Sequence, residues 1–318
     1  MLWIGVLLLR LARAPGNPDI REVTPGNEHH GIETARPQPV RPSNELLIAP
    51  RELADRLSEP DLIVLDARGT AQFRASHVPG AINVPASTVQ DARSPRAELL
   101  PAHAIASRLG TLGVPDGGRL VLYDDSGLVP SALLFWTLEL LGRGWMALLD
   151  GGFGAWRAAG LPVETEAQNA SPVSFGATLD AGRRASKADV LEAVERGGAH
   201  IVDSRSPDEY SGRRVTGARG GHIPGAVNIN WDRHIAGLLN PTFRPIGELR
   251  ALYEQAGITP DRPVISYCLS GARSSHTYFV LRMLGYPVIR NYVDSWLEWA
   301  ADPALPVASD PDRRDDRR

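Results

Sequence analysis

Short apolar runs alternate along the chain with longer segments of helical character. Residues 61–65, 120–123, 200–202 and 264–267 are compact, rich in Val, Ile and Leu, and of strand length. Runs of that kind suit parallel strands buried on both faces. Between them the pattern predicts helices over 50–57 and 186–195, the second with Ser186 as N-cap and Asp189 three residues on. Residues 131–141 and 274–284 are apolar almost all round, which predicts buried helices. Strand and helix in alternation imply an α/β layer fold with mostly parallel sheets.

The pattern occurs twice. Val64-Leu65-Asp66-Ala67-Arg68 returns as Ile201-Val202-Asp203-Ser204-Arg205, and His77-Val78-Pro79-Gly80-Ala81-Ile82-Asn83 as His222-Ile223-Pro224-Gly225-Ala226-Val227-Asn228. Leu120 to Tyr123 answers Val264 to Tyr267, Leu141-Gly142 answers Leu284-Gly285, and Trp156 answers Trp299. The order is kept, and an insertion around 212–219 lengthens the second copy. An ordered repeat of this kind marks a duplicated domain. The division expected is an extension over 1–44, a first domain over 45–165, a linker over 166–182, a second domain over 183–305 and a charged tail over 306–318.

Composition narrows the chemistry. Of 318 residues, 43% are hydrophobic, enough for two cores, and a net charge of −3 recruits neither nucleic acid nor an anionic membrane. The single cysteine has no partner for an internal disulfide, and no His/Cys cluster has metal-ligand spacing, so no cofactor or metal is expected. The apolar run at 2–9 is too short to span a bilayer, and its positive charges, Arg10 and Arg13, follow it. A disordered extension is the reading here, with a cleaved signal as the alternative, and the cytoplasm is the expected compartment, with export as the alternative. Among the remaining landmarks, Trp156, Trp296 and Trp299 are expected in the core, and residues 150–152 and 293–295 as turns.

The chemical signal lies in Tyr267-Cys268-Leu269-Ser270-Gly271-Ala272-Arg273-Ser274-Ser275, between an apolar strand and an apolar helix. Ligands of open α/β sheets bind beyond the carboxyl ends of the strands. Gly271 and its small neighbours let the backbone curl, so that successive N–H groups form an anion-binding nest. The positive end of the following helix and the charge of Arg273 add to the field that favours a nucleophilic thiolate at Cys268. In the first copy the same loop reads Tyr123-Asp124-Asp125-Ser126-Gly127-Leu128-Val129-Pro130-Ser131. A carboxylate cannot carry sulfur, so the first domain is expected to be catalytically silent. His77 and His222 occur in both copies, which points to a turn-stabilising role instead of catalysis.

Tandem domains with a cysteine only in the second, D-x-R, H-[IV]-P-G-A-[IV]-N and a C-x-x-G-x-x loop together resemble the thiosulfate and 3-mercaptopyruvate sulfurtransferases of the rhodanese family, over about residues 45 to 305. The resemblance implies two rhodanese-like domains, each a mostly parallel sheet flanked by helices. It also implies a Cys268 persulfide formed from a small anionic sulfur donor, stabilised by loop amides from Leu269 to Arg273, and passed to cyanide, a thiol or a protein acceptor. It places Arg205 beside the loop, where it would bind the donor, with a salt bridge to Asp203 or to the neighbouring domain as the alternative. Arg273 and Arg68 are the other cations expected to favour an anionic donor.

The chain departs from the family pattern at several points. Leu269 and Ser270 stand where the thiosulfate type carries basic residues. Ser270 matches the loop Ser/Thr of the mercaptopyruvate type, whose preceding glycine is here Leu269, and Arg68 stands where that type has an aspartate. Thiosulfate is the favoured donor and 3-mercaptopyruvate the alternative. Two other functions compete: a sulfur-relay or binding module acting on a protein, and a phosphatase of related fold. The second needs five residues between cysteine and arginine, and here only four separate Cys268 from Arg273.

Overall fold

The structure, a computed structural model, describes residues 45–166, 171–237 and 241–309. Two parallel sheets form its frame. In the first, strands β1 (Leu47–Ile48), β2 (Leu62–Asp66), β3 (Ile82–Asn83), β4 (Arg119–Tyr123) and β5 (Met146–Leu149) lie in the order β1-β5-β4-β2-β3. In the second, β6 (His200–Asp203), β7 (Val227–Asn228), β8 (Val264–Tyr267) and β9 (Ile289–Asn291) lie in the order β7-β6-β8-β9. Every ladder is parallel, with Asp66 level with Tyr123 in one sheet and Asp203 level with Tyr267 in the other. A single parallel bridge between Arg184 and Asn291 stands where the first sheet has β1.

Helices α1 (Pro50–Arg56), α2 (Thr70–Ala75), α3 (Ala102–Thr111), α4 (Val129–Leu140) and α5 (Gly152–Ala158) cover the first sheet. The second carries α6 (Lys187–Arg196), α7 (Pro207–Ser211), α8 (Ile246–Gln255), α9 (Ala272–Met283) and α10 (Ser295–Ala301). Ser186 caps α6 in a reciprocal box with Asp189, as its spacing predicts. No described helix is long and apolar enough to cross a membrane.

The two apolar helices each begin two residues earlier than their pattern implied, at Val129 and Ala272, and this brings α9 directly onto the cysteine loop. They are buried because they pack against each other across the domains. Phe135 of α4 meets Phe279 of α9 edge-on at 4.9 Å. Glu139 of α4, 1% exposed, accepts from Tyr278 Oη at 2.7 Å, Arg183 Nη1 at 2.8 Å and Arg282 Nη2 at 3.1 Å. A carboxylate buried among apolar side chains is tolerated only with such partners.

Trp156, Trp296 and Trp299 are fully buried. The segment expected as linker is not free of the first domain: Val173 N–H donates to Gly110 O and Thr178 N–H to Leu141 O. At the start of the expected tail, His222 and Ala308 exchange backbone hydrogen bonds of 2.7 and 2.9 Å. The extension over 1–44 and residues 310–318 lie outside the described residues.

Candidate active site

The D-x-R motifs build a brace below each loop. Asp203 is fully buried and accepts from the Arg205 N–H at 2.9 Å, from Arg205 Nε at 3.0 Å and Nη2 at 2.6 Å, and from Tyr267 Oη at 2.6 Å. Arg205 Nη2 also donates to Gly221 O at 2.7 Å, and its guanidinium lies 4.4 Å from the centre of the Trp296 ring. Asn228 Nδ2 donates to the carbonyls of Asp203 and Arg205, fixing the turn between them. In the first copy Asp66, Arg68, Tyr123 and Asn83 repeat these contacts.

Arg205, expected beside the donor, makes the pair with Asp203 that stood as its alternative. Arg205 is 1% exposed and Arg68 5% exposed, each locked to its own aspartate, and the same brace serves the copy without a cysteine. Burial works against the Arg205 charge, but Asp203 outweighs it and holds the guanidinium protonated. Arg205→Ala is therefore expected to destabilise the second domain by about 3–5 kcal/mol, because it strands the Asp203 charge. Urea denaturation measures this, and a variant of unchanged stability but raised KM would restore the donor-binding role. His77 and His222 are likewise tied to the backbone, by Nδ1 at 2.8 Å from Phe73 O and from Tyr210 O.

Cys268 begins the loop at the carboxyl end of β8. Its N–H donates to Ser295 Oγ at 3.1 Å, and its carbonyl accepts from Trp296 N–H at 3.1 Å. Gly271 takes a left-handed backbone, φ +91°, which turns its N–H back to donate to Cys268 Sγ at 3.2 Å. Gly271 O is held by Ser274 Oγ, Ser275 Oγ and Ser275 N–H at 2.9, 2.8 and 3.0 Å. Ala272 and Arg273 open α9, so their N–H groups have no partner within the helix. Cys268 is 1% exposed, while Leu269, Ser270, Ala272 and Arg273 form a half-buried rim above it.

Burial works against the Arg273 charge, and its hydrogen bonds to Glu209 outweigh that cost and hold the guanidinium protonated beside the cysteine loop. Its Nη atoms donate to Glu209 at 2.8 and 3.0 Å. Burial opposes the Glu209 charge, yet Arg273 and Ser206 outweigh it and hold the carboxyl down at about 2. Arg214 Nη2, on a side chain 60% exposed, lies 2.9 Å from the same carboxylate. Two guanidiniums on one carboxylate leave a net positive charge beside the loop. Glu209 and Arg214 escaped the sequence reading; the available signal was the Ser206-x-x-Glu209 capping box, which places Glu209 in the first turn of α7. Ser295 was read only as part of a turn. It is left-handed, φ 55°, at the position of Gly152 in the first copy, and its hydroxyl bridges Cys268 N–H and Tyr292 O.

The first loop shows what such a turn holds. The Asp124 carboxyl accepts from the N–H groups of Ser126, Leu128 and Ser131 at 2.5, 3.2 and 2.9 Å, and from Ser131 Oγ at 2.7 Å. Burial pushes its pKa up against these four bonds. Ser126 and Leu128 align with Ser270 and Ala272 of the cysteine loop.

A parallel α/β domain in two copies, one with a cysteine in an amide-lined loop at a strand's carboxyl end, defines a tandem-domain group-transfer scaffold. The particular family follows from comparison. The rhodanese-like domain family matches residues 49–159 and 186–302, and the chain belongs to it. It is 35% identical over 267 residues to the thiosulfate sulfurtransferase of Azotobacter vinelandii, covering 82% of this chain and 96% of that one. It is also 35% identical to the sulfur carrier protein TtuD of Thermus thermophilus, covering 83% of this chain and 96% of that one. Among solved structures, the 3-mercaptopyruvate sulfurtransferase SseA of Escherichia coli superposes with a TM-score of 0.72 at 26% identity, over 79% of this chain and 98% of that one. The chain is a sulfurtransferase of the rhodanese type.

Proposed function

We propose that this enzyme takes the outer sulfur of thiosulfate onto Cys268 and passes it to cyanide or a thiol. The Cys268 thiolate attacks the sulfane sulfur, a new S–S bond forms, and the S–S bond of thiosulfate breaks with its electron pair leaving on sulfite. Cyanide then attacks the outer sulfur of the persulfide, thiocyanate departs, and the thiolate is restored. The observation that carries this reading is the Gly271 N–H directed at Sγ from a loop whose first-copy counterpart binds the oxygens of Asp124. The N–H groups of Ser270 and Ala272 are the corresponding donors for the outer sulfur, which needs the stabilisation an oxyanion hole gives oxygen.

The donor's sulfonate is met by the positive cluster of Arg273, Glu209 and Arg214, in place of Arg205. Only four residues separate Cys268 from Arg273, one fewer than the phosphatase loop spans, which weighs against phosphatase chemistry. Residues 45–165 act as the supporting domain, and 183–305 carry the catalysis. A free thiol stays reduced most readily in the cytoplasm, where we place the protein. A protein acceptor is the second reading, favoured by the likeness to a sulfur carrier protein.

Thiocyanate production with thiosulfate or 3-mercaptopyruvate as donor tests the assignment. We expect kcat/KM for thiosulfate to exceed that for 3-mercaptopyruvate by about tenfold or more, as one charge-assisted contact is worth. The reverse order would assign the mercaptopyruvate type. Rapid persulfide formation with slow release to cyanide would assign the relay.

A further inference from the structure

Each domain places a segment over the other's loop. In the second copy, Trp231 and Ile235 follow β7 and lie over the first domain's silent loop: a Cβ placed on Gly127 would fall 2.7 Å from the Trp231 ring and 3.8 Å from Ile235 Cδ1. The segment that follows β3 in the first copy does the same to the cysteine loop. There Gln90 Nε2 donates to Ser270 O at 3.4 Å, across the domains, and to Ala97 O at 2.8 Å within its own. Gln90 and Ile235 are structural counterparts. Each stands eight residues beyond the matching Ile82 or Val227, and each makes the isolated antiparallel bridge of its segment, Gln90 to Leu99 and Ile235 to Phe243.

We infer that Gln90 is a positioning residue for Cys268, supplied by the domain that carries no cysteine. Ser270 C=O and Gly271 N–H belong to one planar peptide unit and point in opposite directions. The N–H donates to Cys268 Sγ, and the carbonyl on the far side receives the Gln90 carboxamide. Fixing the carbonyl fixes the N–H, and a hydrogen bond to the oxygen polarises the same amide, which strengthens its donation to sulfur. The contrast between the copies supports this. A carboxamide overlies the loop that holds the sulfur, and an isoleucine with nothing to donate overlies the loop that holds Asp124. The device gives the silent domain a reason to stay joined to the working one, since it supplies the hydrogen bond to the Ser270 carbonyl.

The inference rests on Cys268 as the sulfur carrier, and the test separates the two. The rate of Cys268 alkylation by iodoacetamide is followed against pH in the full chain, with persulfide formation recorded separately. Gln90→Leu, isosteric in bulk and neutral, is expected to slow alkylation near pH 7 by about 3- to 10-fold, the worth of one hydrogen bond. It should move the pH midpoint up and lower kcat with KM unchanged. Gln90→Glu, which sets a carboxylate against the carbonyl, should slow it further. Gln90→Asn, shorter but polar, is the substitute should the leucine variant not fold. A role confined to holding residues 91–99 through Ala97 would lower the melting temperature and leave the midpoint where the wild type has it, which would overturn the inference. If the wild type alkylates readily yet never acquires sulfur, the functional reading is wrong and the Gln90 result still stands or falls on its own.

Discussion

Cys268→Ser is expected to abolish thiocyanate formation while leaving the protein folded. The side chain is 1% exposed, and its sulfur accepts one hydrogen bond, from Gly271 N–H. A serine hydroxyl is close in size, can accept the same bond, and leaves the backbone contacts to Ser295 and Trp296 untouched. It cannot form the covalent sulfur adduct on which the two half-reactions depend. Removing a nucleophile costs factors on the order of 10⁴ to 10⁶ in kcat, so turnover should fall by at least about 10⁴-fold with melting unchanged. Steady-state assay of the purified variant beside its thermal melt is the check. Retention of activity within tenfold would remove Cys268 from the chemistry.

Gly271→Val should be nearly as damaging, for a different reason. Gly271 sits at φ +91°, where only glycine is at ease, and an added Cβ would collide with Val293 Cγ2 and come within 2.6 Å of Val293 O. A β-branched residue forced into the left-handed region costs on the order of 1–2 kcal/mol before any collision. Together the two effects should destabilise the second domain by roughly 3 kcal/mol or more. The larger consequence is local, because the amide that donates to Sγ belongs to this residue. Loss of one such donor costs about 10² to 10³ in kcat, and this should show in the folded fraction at low temperature. Urea denaturation with single-turnover kinetics separates the two effects. A valine variant with wild-type stability and rate would mean that the turn is not under constraint.

What the sequence revealed and what it hid divide along contact range. The parallel sheets, the buried helices and the cysteine loop were legible because each is a local pattern written twice. Comparing the copies also separated function from scaffold: the histidines, present in both, are bound to backbone carbonyls. The same logic applied to D-x-R would have marked Arg205 as structural, since Arg68 repeats it in the silent copy, but the family resemblance drew it toward the donor. Glu209 and Arg273 are 64 residues apart, and Gln90 and Ser270 are 180 apart. No periodicity encodes such pairs, which arise only when the strands are laid side by side and the domains are packed. Ser295 was masked differently, since a left-handed serine looks like any turn residue until its hydroxyl is seen between Cys268 and Tyr292.

The central claim is that this loop exists to hold a sulfur atom on Cys268. Intact and peptide mass spectrometry of the wild type after brief incubation with thiosulfate tests it most directly. The account predicts the mass of one added sulfur, confined to the peptide containing Cys268, removed on adding cyanide and absent from Cys268→Ser. An unmodified Cys268 peptide, or sulfur that cyanide cannot remove, would contradict it.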